Sequence, residues 1–325
     1  MSNILENKKT CIITKEKIFQ NIVHFLVINS EGVDIVKNPI SKTAIIYFLF
    51  NYAYKYKKQH YTDFAFDLLQ QSLSEIVNLS QKEKDINPNS IWLGYGLMQF
   101  NNNGFFESYE LDEILYSFDI ISIRETERLS RGEFSTNNVY DLLSMANYLI
   151  DRMIYMGENT GYYLPVKEHL LIVLFELVHN MSVWNRESIT WVVPMVLFLE
   201  KCREQKAMAK LAKKGLQEFE NYTLLENEHI LKRYKLMKSK EDLSRALLLW
   251  LNFSNKIKNM MNDKTLLKGV IEIQISNNME QLYRNGDSDL SGIKNVIIYA
   301  LTLIEDLKPN NPTFLTHLII NSIKN

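Results

Sequence analysis

The sequence predicts an all-α protein, a double-layered (α/α) toroid of six to seven helical hairpins in one domain covering residues 1–325. Three observations lead there. Short alternating β-branched runs bounded by Gly or Asn hardly occur, and apolar residues recur at spacings of three and four. Six helices that are apolar nearly all round begin near Ser41, Ile91, Leu142, Ile189, Arg245 and Ile293, separated by 50, 51, 47, 56 and 48 residues. Amphipathic helices lie between them. A helix apolar on every side has to be surrounded, whereas an amphipathic one needs cover on one face only. A steady period of this size marks a repeat architecture. Inner helices of an open solenoid usually keep a polar stripe towards the groove, so wholly apolar ones favour a closed ring, with the solenoid as the alternative.

In the first unit, "SKTAIIYFLFNYAY" from Ser41 is the inner helix and "TDFAFDLLQQSLSEIVNLS" from Thr62 its outer partner. The outer helix sets Phe66, Leu69, Leu73, Ile76 and Val77 on one face and Asp67, Gln70, Ser74 and Asn78 on another. The second unit pairs "IWLGYGLMQF" with the amphipathic stretch Tyr109 to Leu129. Two glycines, Gly94 and Gly96, stand at the front of that inner helix, where each costs about 1 kcal/mol relative to Ala. "LLSMANYLIDRMIYM" opens the third unit, and "ITWVVPMVLFLEKC" the fourth, with Gln205 to Tyr222 as its amphipathic follower. "RALLLWLNF" and "IKNVIIYALTLI" begin the fifth and sixth. The Asn-rich pieces "NPNS" and "NNNG" read as turns, because Asn and Gly tolerate left-handed backbone. No Pro- or Ser-rich linker divides the chain.

Composition narrows the function classes. Of 325 residues, 46% are hydrophobic, which is ample for a large core. Lys and Arg total 37 against 38 Asp and Glu, so the basic footprint of a nucleic-acid partner is missing and none is expected. The polar N-terminus lacks the apolar core of a secretory signal. The longest apolar run, Trp191 to Leu199, is far short of the roughly 20 residues that span a bilayer. A soluble, cytoplasmic protein without a membrane partner is the expectation, with Cys11 and Cys202 as reduced thiols.

Order and spacing of the units carry a resemblance. "WLGYGLMQFNNNGFF" followed by "LDEIL" at Leu111 to Leu115 is similar to the second-unit segment "G-I-G-W-G-I-E-Y-L-x-Q-N-G-F-I…D-E-I-L" of the LanC-like family, the cyclase proteins of lanthipeptide biosynthesis. "ITWVVPMVLFLEKC" stands where that family has "A-H-G-I-x-x-x-x-x-F-L-x-K-C". The resemblance implies that Gly94 and Gly96 let the head of an inner helix pack tightly near the ring's central site. It also implies a zinc ion held by Cys, Cys and His, which lowers the pKa of a substrate thiol for attack on a dehydroamino acid. In this chain the ligand positions carry Leu249, Leu290 and Ser291, and Thr190 replaces a proton-transferring His. No histidine lies between His229 and His317, and neither cysteine falls in the fifth or sixth unit, so no shift of register restores the set. No zinc and no other cofactor is therefore expected.

What the resemblance leaves is a non-catalytic LanC-like protein of a bacterial ribosomal-peptide modification system, binding a precursor peptide or a partner modifying enzyme. Trp191, Trp250, Asn252 and Ser291 would lie at the mouth of the former active site. The indole rings there would either fill the old cavity or offer a stacking platform for a peptide. One alternative is a metal-independent enzyme working through paired carboxylates, for which the inner-helix segments supply chiefly Asp151, Glu200 and Glu305. Another is a general helical scaffold. Glu168, His169, Glu176 and His179 share one helix, but no second helix of that kind completes a di-metal set, and polar residues on a partly exposed helix are expected. "RNGDSDLSG" from Arg284 lacks the later Glu of a calcium loop and reads as a turn. Arg152 and Arg245 fall within inner helices, where an unpaired charge is costly, so each requires a carboxylate or carbonyl partner.

Overall fold

A computed structural model describes residues 19–82, 88–106, 110–131, 139–157, 163–181 and 189–218, together with 296, 297 and 300. Among these the regular structure is helical and contains no strand. The helices are α1 (19–30), α2 (Pro39–Tyr56), α3 (Gln59–Lys82), α4 (Ile91–Asn102), α5 (Leu111–Arg131), α6 (Val139–Met156), α7 (Tyr163–His179), α8 (Ile189–Glu204) and α9 (209–218). The chain divides into two compact units, Met1–Lys84 with Glu272–Asn310 and Asp85–Ile271 with Asn311–Asn325. Both units are discontinuous in sequence, which is why no linker composition marks the division.

In the first unit α2 is buried on nearly every side, from Pro39 to Ala53, as an inner helix should be. Helix α1, which the sequence pattern did not single out, lies against it in the opposite direction. Phe19 at its start packs on Tyr52 and Tyr56 near the end of α2, and the Ser30 carbonyl at its end accepts from Lys42 Nζ near the start. Helix α2 stops at Lys57, whose left-handed backbone (φ 53°) lets the Lys58 N–H return to the Ala53 carbonyl. The chain then folds back as α3, and Phe66 meets Phe50 edge-on at 4.9 Å. The buried face of α3 runs through Ala65, Leu68, Leu69, Ser72 and Ile76, with Phe66 and Leu73 half-exposed. The expected stripe is therefore rotated slightly. Ser72 tolerates burial because its hydroxyl donates to the Leu68 carbonyl, the usual escape for a Ser within a helix.

The second unit has two layers. Helix α6 touches α4 and α8 on its own layer and α5 and α7 on the other, while α5 and α7 touch each other. Helix α9 joins them, since a methyl added at Gly215 would lie 3.1 Å from Leu199 of α8 and from Val178 of α7. Three cross-links show that α4, α6 and α8 run parallel. Asn147 in the middle of α6 donates to the Pro194 carbonyl in the first half of α8, and Asp151 farther along α6 meets Lys201 farther along α8. Asn101 near the end of α4 donates to Tyr155 Oη near the end of α6, so positions advance together along neighbouring helices. The inner helices are enclosed, α4 from Ile91 to Phe100 and α6 over most of Val139 to Met153.

"NNNG" is the turn expected of it. Gly104 takes φ 69°, and the Phe105 N–H closes on the Phe100 carbonyl. Pro88–Ser90 of "NPNS" forms a 3-10 turn that runs into α4. Gly94 and Gly96 lie inside α4, and a Cβ on Gly94 would come within 2.8 Å of Phe118 Cγ in α5. Gly94 thus admits an aromatic ring of the second layer.

Candidate functional site

Of the residues expected at the active-site mouth, Trp191 is the third residue of α8, at the head of an inner helix. Trp250, Asn252 and Ser291 lie outside the described residues, as do Leu249, Leu290, Arg245, Glu305, Asp287 and Asp289.

The polar chemistry that is described gathers at the other end of the inner helices. Arg152, near the end of α6, is almost fully buried. Its Nε donates to Asp119 Oδ2 at 3.1 Å and its Nη1 to Asp112 Oδ1 at 2.7 Å. Tyr148, one turn earlier on α6, donates its phenol to Asp119 Oδ1 at 2.9 Å. Both oxygens of the buried Asp119 are thus engaged, whereas Asp112 lies in solvent at the start of α5. Tyr155 lies under the Arg152 guanidinium, 5.6 Å from ring centroid to Cζ, and its oxygen accepts from Asn101 of α4. Asp112 and Asp119 of α5 and Tyr148, Arg152 and Tyr155 of α6, five residues, therefore make one cluster, to which Asn101 of α4 is attached through Tyr155.

Burial pushes the Asp119 carboxyl above the usual aspartate value, against the pull of Arg152 and the Tyr148 hydrogen bond. Burial also works against the Arg152 charge, but Asp119 and Asp112 outweigh it and hold the guanidinium more firmly protonated. Tyr155 is raised as well, first by burial and then by the Asp112 charge. Each Asp119 oxygen already accepts a hydrogen bond from α6, and the side chain is fully buried. The cluster is chemically a clamp between α5 and α6.

A second tie joins α6 to α8. Lys201 Nζ meets Asp151 Oδ2 at 2.7 Å with both side chains mostly covered. Between them and the helix heads, Asn147 donates to the Leu143 and Pro194 carbonyls. Asp151 and Glu200, two acids that the paired-carboxylate alternative would use, are each matched to a cation, Lys201 and Arg203.

On α7 the four polar residues separate. His169 is buried against Thr126 of α5, Glu168 is exposed, His179 stacks on Phe175 and Glu176 accepts from Asn180. Among the described residues, no group of three or more His, Cys, Asp or Glu is placed to hold a metal ion. Cys202 is buried, and desolvation drives its thiol far above the ordinary range, so it is unreactive. No helix among the described residues is long and apolar enough to cross a membrane.

Compared with protein-family models, with curated proteins and with solved structures, the chain matches none.

Sequence reasoning required a partner for Arg152 and the structure supplies two. It missed Asp119 and Asp112, which the period-3.6 reading had left as polar positions of an outer helix. A signal was available: Asp112 and Asp119 lie seven residues apart, which places them on the same side of α5, and Tyr148 and Arg152 are likewise one turn apart on α6.

Proposed function

We propose that this chain is a non-catalytic LanC-like protein of a bacterial ribosomal-peptide modification system, a toroid that binds a precursor peptide or docks beside a modifying enzyme. The observation that carries this reading is the parallel layer of α4, α6 and α8, tied at matching heights and recurring at the period of about 50 residues. It supports a repeated hairpin framework of the kind the resemblance implies. The sequence at the zinc positions, Leu249, Leu290 and Ser291, supports the non-catalytic part. Trp191, at the head of α8, is the first residue to test as a peptide contact.

Elemental analysis of the purified chain tests the first element, and near-stoichiometric zinc would overturn it. Affinity capture from the native host tests the second: recovery of a ribosomal precursor peptide or a dehydratase-like enzyme is expected. A general helical scaffold is the second reading, favoured by Leu164, Ile172 and Phe175, which stand more than half exposed on α7. Capture of structural proteins alone, with no peptide or modifying enzyme, would replace the first reading by this one.

A further inference from the structure

We propose that the His169–Thr126 contact makes the junction of α5 and α7 an acid-labile joint, closed at neutral pH and loosened when the imidazole takes a second proton. The contact is a polar link between these two helices, and both residues are buried, Thr126 fully and His169 to within 8%. Thr126 lies within hydrogen-bonding reach of the Ser122 and Ile123 carbonyls, at 2.8 and 2.9 Å. With its own proton given to one of them, its oxygen accepts the Nε2–H of His169. That arrangement leaves Nδ1 bare, which a neutral ring allows. A second proton would put a positive charge on a ring that is largely buried between α5 and α7.

The surrounding charges do not reverse this. From α5, the Glu127 carboxylate is the charge felt by the ring and favours the proton; α6 and α9, which also pack on α7, bring none that moves it. Desolvation exceeds the Glu127 effect and holds the imidazole below its ordinary value of about 6.5. A histidine depressed in the folded state contributes its stability above the unfolded value and loses it as pH falls through 6.5 and then through the folded value. Helix α7 also carries the exposed Leu164, Ile172 and Phe175, so loosening it changes how that apolar stripe is presented.

Amide hydrogen exchange of the full chain, corrected for intrinsic rates, at about pH 7.5 and about pH 5 tests the joint. Exchange in α5 and α7 should quicken roughly tenfold or more at the lower pH, with α2 and α3 changed far less. His169→Gln keeps an N–H for Thr126 without titrating, and its α5 and α7 should be insensitive to pH. Equal protection of the wild type at both pH values, or the same acid loss in His169→Gln, would overturn the proposal. Should that variant not fold, the wild-type His169 ring titration by NMR decides: a pKa at or above 6.5 overturns the joint, and one below supports it.

Discussion

Arg152 and Asp119 face each other across the α5–α6 contact, Nε to Oδ2 at 3.1 Å, with their side chains 2% and 0% exposed. Charges so far from water are stable only while matched, and removing one partner leaves the other to bear its desolvation alone. Asp119→Asn and Arg152→Met should each cost about 3–5 kcal/mol in urea unfolding of the full chain. The double variant Asp119→Leu with Arg152→Met should recover most of that loss, because an apolar pair leaves no buried charge. Single variants within 1 kcal/mol of wild type would mean that the pair is solvated in solution.

Gly94 and Gly215 make a matched contrast. At Gly94 an added Cβ meets Phe118 Cγ at 2.8 Å and Cβ at 3.1 Å, atoms held close to the α5 backbone. Overpacking of about 1–3 kcal/mol therefore exceeds the roughly 1 kcal/mol that Ala gains in helix propensity, and Gly94→Ala should destabilise. At Gly215 the neighbours are methyl groups of Leu199 and Val178 at 3.1 Å, which yield more easily. Gly215→Ala should be within about 0.5 kcal/mol of neutral. Thermal melts compare the two, and a stabilised Gly94→Ala would show that α4 and α5 are farther apart than described.

How far the sequence was legible follows from which physics is local. The inner helices α2, α4, α6 and α8 were readable because their apolar character is continuous, as in Ile91 to Phe100, and enclosure follows from it. Helix α1 escaped notice because His24, Asn21 and Asn29 interrupt its apolar residues and it falls outside the 50-residue pattern. The need of Arg152 for a partner was legible from burial cost, but the choice of Asp119 required the pairing of α5 with α6, which no spacing within one helix encodes. Gly94 was noticed as a poor helix residue, and its cause, the Phe118 ring, lies in the following helix. Of the expected mouth, Trp191 alone falls on a described helix.

Lys42 gives a prediction with a definite pH sign. Its Nζ donates to the Ser30 carbonyl at 2.7 Å in a buried setting, and desolvation holds the ammonium below its ordinary value despite Glu75, Glu31 and Asp34. Between that lowered value and about 10.4 the folded chain binds fewer protons than the unfolded one, so this residue makes stability rise with pH. Lys42→Met removes the buried charge, and Ser30 keeps the Val33 N–H at 3.3 Å. The variant should be neutral or up to about 2 kcal/mol more stable at pH 7, with a flatter alkaline stability profile. A loss exceeding 2 kcal/mol would show that the ammonium's bond to Ser30 outweighs its desolvation.

Pro194 stands six residues into α8, between the fully buried Val193 and Met195. Lacking an N–H, it denies the carbonyl four residues back its helical partner, at a cost of about 3 kcal/mol in a helix interior. Asn147 works beside this break: its Nδ2 donates to the Pro194 carbonyl at 3.0 Å and to Leu143 at 2.9 Å, so one amide holds α6 to α8. Proline also restricts the unfolded chain, which returns about 1 kcal/mol to stability. The helical penalty is larger, so Pro194→Ala should stabilise the chain by about 1–2 kcal/mol. Asn147→Ala should destabilise by about 1–3 kcal/mol, since it removes the shared donor from a buried contact. The two effects should be coupled in a double-mutant cycle, because straightening α8 moves the carbonyl that Asn147 binds. Melting curves of the four proteins measure this, and a Pro194→Ala variant that melts below wild type would mean that α8 depends on its break for packing against α6.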